Sequence, residues 1–338
     1  MRGPFRILDW SFRRGPIGQT GVGMRISGFT FVRNAVSLDY PVVESIRSIL
    51  PIVDEFVVAL GESGDGTLDL IQSIGSPKIR IVPCTWNPNV KAGGYILAQQ
   101  TNVALFNCTG EWAIYLQADE AIHEKDHATI IKIMHKYQHD DRIEGLLLRR
   151  LSFYGDYRTL VNVHPFFADL SCRVVKPDRF VLSRGDAAGF TVHPKYKEKG
   201  RRIRVVDTGL DFFHYADVRS PKKSEAFRDE KRQFWQMTAS GTSPTDAAEA
   251  NVNSYYQQAL RQFVTGYDGG HPQSMHNRIR AFSEWLDHDS PHWRRTPTRS
   301  ERKTIWRTKL IRVFGYGAAT GRSSRKIIER YQERPFPR

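Results

Sequence analysis

The chain has 338 residues, 40% of them hydrophobic and 25% charged, with 26 Gly and 17 Pro. That composition supports one large domain or two smaller ones around a core, and excludes a disordered chain, a collagen-like repeat and a disulfide-stapled mini-protein. The formal net charge of +14 sits at the ends, with +3 in residues 1–14 and +10 in residues 271–338, around a nearly neutral middle.

From Met24 the pattern becomes regular. Residues 25–32 (RISGFTFV) are rich in β-formers and predict a strand. In residues 41–50, Val42, Val43, Ile46, Ile49 and Leu50 recur at helical spacing behind Pro41, a residue suited to a first turn. Residues 55–60 (EFVVAL) form a short apolar run, as in a strand buried on both faces. A Gly-rich loop follows, then a helix over 67–74 through Leu68, Ile71 and Ile74, and a third strand over 78–83 (KIRIVP). A loop at 87–94 leads into a helix over 95–107 and a fourth strand over 112–117 (WAIYLQ), ending at Ala118-Asp119-Glu120. Strands alternating with helices at this length predict a mostly parallel sheet with helices on both faces. Further strands are expected over 145–151 and 170–176. Residues 184–220 read as loop-rich, and the polar stretch from Ser220 onward as helical.

Open parallel sheets bind ligands beyond the carboxyl ends of their strands. The candidates for chemistry are therefore Arg33 and Asn34, Glu62 to Asp65, Thr85 to Lys91, and Asp119 with Glu120. Asp119, just beyond a buried strand, suits a hard divalent cation that bridges a nucleotide diphosphate; an aspartate there also suits a helix N-cap. Gly21 and Gly23 form a GxG, but Ile26 stands at the third glycine position and the pair precedes a strand, which excludes a dinucleotide loop. His123-Glu124-Lys125-Asp126-His127 spells HExxH, the zinc-protease signature, although both intervening residues are charged, which ill suits a buried active-site helix. The alternative is a solvated first helical turn with Glu124 and Asp126 near its positive end.

Taken in order, several short motifs resemble the family 2 glycosyltransferases, of the fold called GT-A. They are Arg33-Asn34, the SxDGT-like Ser63-Gly64-Asp65-Gly66-Thr67, Gln99-Gln100-Thr101-Asn102, the YLQADE run at 115–120, Ser183-Arg184-Gly185-Asp186-Ala187, and Phe213-His214-Tyr215. The resemblance covers residues 24–220 and implies a Rossmann-like GT-A domain there, between a basic arm (1–23) and a basic, mainly helical extension (221–338). It implies a sugar transferred from a nucleoside-diphosphate sugar to an acceptor hydroxyl, with inversion, in polysaccharide or glycolipid biosynthesis. Arg33, Asn34, Glu62, Asp65, Lys91, Gln117 and Asp119 would bind the donor. Asp119, with His214 and Glu120, would hold Mn²⁺ or Mg²⁺, and Asp186 would be the base. The chain departs from the family in two places. Leu60 falls where a base-contacting Asp is common, with Glu62 nearby, and Gln117 replaces the first carboxylate of the DxD-type site.

The expected partners are a nucleotide-sugar, a glycan or lipid-linked acceptor and an anionic membrane surface, with no specific nucleic acid. A zinc metalloprotease and a basic nucleic-acid-binding module are the alternatives. Cys84, Cys108 and Cys172 are scattered and form no CxxC, which suits a reducing compartment. No apolar run approaches a membrane span and no signal-peptide stretch is present at the N-terminus, so a cytoplasmic location is expected. Residues 302–314 (RKTIWRTKLIRVF) read as an amphipathic helix able to dock on the inner face of the membrane.

Overall fold

The computed structural model describes residues 23–90, 94–161, 170–177, 180–193, 201–219, 264–283 and 325–331, with Lys223 and Ala226. Lys91, most of the N-terminal arm and the expected helix at 302–314 lie outside the described residues.

Four parallel strands form one half of the sheet in the order β3-β2-β1-β4, comprising β1 (Ile26–Val32), β2 (Glu55–Gly61), β3 (Ile79–Cys84) and β4 (Trp112–Tyr115). Their apolar runs are double-sided. In β2, Phe56 and Val58 point into one core while Val57 and Ala59 point into the other. In β4, Trp112 and Ile114 alternate with Ala113 and Tyr115 in the same way. The first core is closed by α1 (Val42–Ile49), α2 (Thr67–Gln72) and α4 (His127–Tyr137), through Val42, Ile46, Ile49, Ile71, Ile130, Ile133 and Met134. The second is closed by Ala104 and Leu105 of α3 (Tyr95–Phe106) and by the hairpin of β9 (Val181–Arg184) and β10 (Gly189–Val192). Each large apolar side chain so buried is worth about 1.5–3 kcal/mol, which is why these segments fold as their spacing predicts.

Beyond β4 the sheet continues through β8 (Leu170–Val175), β6 (Gly145–Tyr154) and β11 (Arg201–Asp217) to the β9–β10 hairpin. β8 is antiparallel to both β4 and β6, whereas β6 and β11 are parallel. The expectation of loop over 184–220 is corrected here. β11 is a 17-residue strand whose register shifts twice against β6, once around Gly209 at φ +71. Its charged residues hid it. Asp211 binds Arg149 of the neighbouring strand through two oxygens at 2.6 and 2.8 Å, so the polar positions are satisfied across the ladder instead of marking turns.

The described parts of 221–338 join the same body and are not helical alone. β12 (Val264–Gly266) pairs with β7 (Thr159–Val161), and β13 (Arg325–Arg330) adds to β11. α5 (His276–Ser283) follows a 3-10 turn at Gln273–Met275. Met275 and Phe282 there pack against Phe153, Phe213 and Tyr215. His271 fastens this segment, with Nδ1 2.9 Å from the Tyr215 hydroxyl and Nε2 2.8 Å from the Tyr157 carbonyl. Among the described residues, no helix is long and apolar enough to cross a membrane.

Candidate active site

The carboxyl ends of β1, β2 and β4 lie side by side because these strands pair in parallel register, and hydrogen bonds knit the loops beyond them. The Asn34 N–H donates to the Ser63 hydroxyl at 3.0 Å, and that hydroxyl donates to the Gly61 carbonyl at 2.9 Å. The Ser45 hydroxyl donates to the Gln117 carbonyl at 3.0 Å, tying α1 to the end of β4. Asn34 sits at φ +52, a left-handed conformation that asparagine tolerates and that a tight turn off a strand needs. Three cations from later in the chain hold the same loop, with Lys223 on the Val36 carbonyl, Arg219 on the Leu38 carbonyl and Arg278 on Asp39.

Asp65 is committed to that loop. Oδ2 accepts the Ser37 N–H at 2.7 Å and Oδ1 accepts the Thr67 N–H at 3.2 Å. Burial pushes its carboxyl up, but hydrogen bonds from Thr67 and Ser37 outweigh this and hold it below the ordinary value. Glu62 is exposed beside it.

Arg33 lies with its guanidinium 5.6 Å from the Trp86 ring centre, and its Nε is buried without a hydrogen-bond partner among the described residues. Gly61 makes room for this pair. A Cβ there would stand 2.5 Å from Trp86 Nε1 and 3.1 Å from Arg33 Cβ. Trp86 stands two residues past β3, within the 85–91 stretch that the sequence offers as a candidate at the ligand edge.

At the end of β4 the outcome differs from expectation. Glu120 is fully buried, and both its oxygens are held by Arg173 at 2.6 and 2.8 Å, so the expectation that Glu120 helps hold a cation is corrected. Asp119, 5% exposed, faces a guanidinium, with Arg219 Nη2 3.9 Å from Oδ2. Arg219 also lies over the Tyr40 ring at 4.9 Å. His214 of β11 is buried and pairs in backbone register with Glu120 of β5 (Glu120–Ala121). Hard divalent cations take about six oxygen ligands, usually with more than one carboxylate. Gln117, Asp119 and His214 supply one carboxylate, and it already stands opposite Arg219. Among the described residues no three His, Cys, Asp or Glu side chains are gathered to hold a metal ion. The donor set does not fit a resident Mn²⁺ or Mg²⁺.

Asp186 lies in the turn between β9 and β10, where its Oδ1 accepts the Ala188 N–H at 3.3 Å. Asn102 of α3 secures that hairpin. Its amide accepts the Ser183 N–H at 2.7 Å and donates to the Ser183 carbonyl at 3.1 Å. The missed residues here are Arg173 and Arg219. Arg173 carried a sequence signal, since a charge inside the apolar run LSCRVV must find a buried partner.

The HExxH segment is not a zinc-protease helix. His123 is an extended N-cap at ψ 136, whose Nδ1 accepts the Lys125 N–H at 3.3 Å, ahead of a 3-10 turn at Glu124–Asp126. His127 Nε2 lies 2.7 Å from the Ser48 carbonyl, and Glu124 accepts the Gln273 N–H at 3.0 Å. The two imidazoles therefore do not project from one helical face, as that chemistry requires.

No family model matches the chain, and no curated protein matches it. Solved structures do match, at a distance. TarS 1–349 from S. aureus in complex with UDP-GlcNAc is 13% identical at a TM-score of 0.37, over 61% of this chain and 64% of that one. Glucosyl-3-phosphoglycerate synthase from Mycobacterium tuberculosis in complex with Mn²⁺, UDP and phosphoglyceric acid is 14% identical at a TM-score of 0.35, over 62% of this chain and 76% of that one. A further TarS 1–349 structure is 15% identical at a TM-score of 0.32 over 46% of this chain, which spans 48% of that protein's length. These likenesses are distant, and the architecture rests on the strand order and register.

Proposed function

We propose that the chain is a glycosyltransferase of the GT-A type, moving a sugar from a nucleoside-diphosphate sugar to a hydroxyl of a glycan or lipid-linked acceptor with inversion. The supporting observation is the joined edge of β1, β2 and β4, where Asn34, Asp65 and Asp119 follow parallel strands and their loops share hydrogen bonds. Parallel sheets bind nucleotides at such an edge.

In this reading Arg33, Asn34 and Glu62 line the nucleoside side, and Asp65 acts by holding their loops. Lys91 would meet phosphate. Gln117 and Asp119 border the sugar diphosphate. Transfer requires a base for the acceptor proton, alignment of the two substrates and positive charge near the departing diphosphate. Asp186 is the base. Arg219 opposite Asp119 and Arg33 at the end of β1 bring positive charge to this edge, and no step is routed through a metal.

The test is a panel of UDP-, GDP- and dTDP-sugars, read by thermal shift and by release of nucleoside diphosphate. One nucleotide series should raise the melting temperature and be turned over. A chain that no member stabilises and that releases no diphosphate overturns the reading.

A further inference from the structure

Arg173 of β8 is among the largest side chains buried completely in the protein. Its Nε and Nη2 grip the two Glu120 oxygens, and its guanidinium carbon lies over the Phe212 ring at 4.7 Å and over the Tyr115 ring at 5.2 Å. Burial works against its charge, but Glu120 outweighs that and keeps it protonated. Two further contacts extend in opposite directions. Glu120 Oε2 also accepts the Gln117 N–H at 3.0 Å, on the donor side. Arg173 Nη1 reaches the Ala188 carbonyl at 3.5 Å, and the N–H of that same residue donates to Asp186. A single path of hydrogen bonds thus runs from Gln117 through Glu120, Arg173 and Ala188 to Asp186.

We infer that Arg173 is a positioning residue for sugar transfer, holding the turn at 117–119 and the turn that carries Asp186 at a fixed separation. The inference rests on the function proposed above. A buried ion pair is a poor device for stability alone, because apolar residues of similar volume often replace one without loss. What this pair adds is geometry, since the planar guanidinium fork fixes direction as well as distance. The Asp186 turn needs such a tie. Gly185 and Ala187 both sit at positive φ, +60 and +63, a region that alanine disfavours. Reaction rates fall steeply when the reacting groups are displaced by as little as about 1 Å.

The test compares the wild type with the double variant Glu120→Gln/Arg173→Met, which removes both charges so that neither is left buried alone, and with Arg173→Lys. The double variant should unfold cooperatively near the wild-type temperature and bind UDP, GDP or dTDP within about threefold, while kcat falls about 100-fold. Arg173→Lys, keeping the charge but losing the fork, should move kcat the same way. Turnover within about threefold of wild type in a folded variant overturns the inference. Should the double variant not fold, Arg173→Lys decides, and deuterium exchange supplies a readout independent of activity. Amides at 117–121 and 185–189 should exchange faster together while α4 stays protected, and an unchanged pattern at both turns overturns the coupling. A wild-type chain that neither binds nor turns over any donor refutes the proposed function itself, and the exchange result still judges the tie.

Discussion

Replacing Asp119 with Asn tests whether its cation is Arg219. The two side chains are 8% and 1% exposed and 3.9 Å apart. At an effective dielectric of about 20, unit charges at that distance attract by about 4 kcal/mol. Asparagine keeps the shape and removes the charge, leaving the guanidinium buried without that partner, which typically costs about 3–5 kcal/mol. For a body of this size each kcal/mol lowers Tm by about 2–4 °C, so the Asp119→Asn variant should melt about 6–20 °C below the wild type. Adding Arg219→Met should recover part of the loss, with a coupling of about 2 kcal/mol in the double-mutant cycle. The assay is thermal and urea unfolding of the four proteins, each repeated with excess Mn²⁺ and with EDTA. Equal melting of Asp119→Asn and the wild type, or a Mn²⁺-induced rise in Tm that disappears in Asp119→Asn, would refute the assignment of Arg219 as the facing cation.

Three further outcomes are expected. Asp186→Asn should lower kcat about 10²- to 10⁴-fold while donor affinity stays within about twofold, and a parallel collapse of affinity would move Asp186 to the donor site. Gly61→Ala pushes a methyl group to 2.5 Å from Trp86 Nε1; it should cost about 1–3 kcal/mol and weaken nucleoside-diphosphate binding, and unchanged Tm and affinity would show that the Trp86–Arg33 packing is loose. Hydrogen bonds from Thr67 and Ser37 outweigh burial and lower the folded-state pKa of Asp65, so its stabilisation is full above the unfolded value of about 4 and is lost as pH falls through the folded one. Asp65→Asn should therefore lie about 1 kcal/mol below the wild type near neutrality and converge with it in acid, and a gap that persists unchanged in strong acid contradicts this.

Strands β1 to β4 and helices α1, α2 and α3 were readable from the chain because burying their side chains depends on local spacing. A strand that is apolar on both faces, such as EFVVAL, has few other ways to hide from water. The same spacing located the ligand edge, and with it Asn34, Asp65 and Asp119. Partnership between distant residues was not readable. HExxH and ADE are short strings whose meaning depends on what packs against them, and here those neighbours are the Ser48 carbonyl, Gln273 and Arg173. β11 looked like loop because its polar residues are matched only by neighbours such as Arg149, 62 positions away. Local periodicity is set within a few residues, so the sequence alone determined the strand–helix frame and its ligand edge. The pairing of buried charges depends on which strands become adjacent, so only the tertiary structure decided that Glu120 belongs to Arg173, that Asp119 faces Arg219, and that the Asp186 turn is tied to the end of β4.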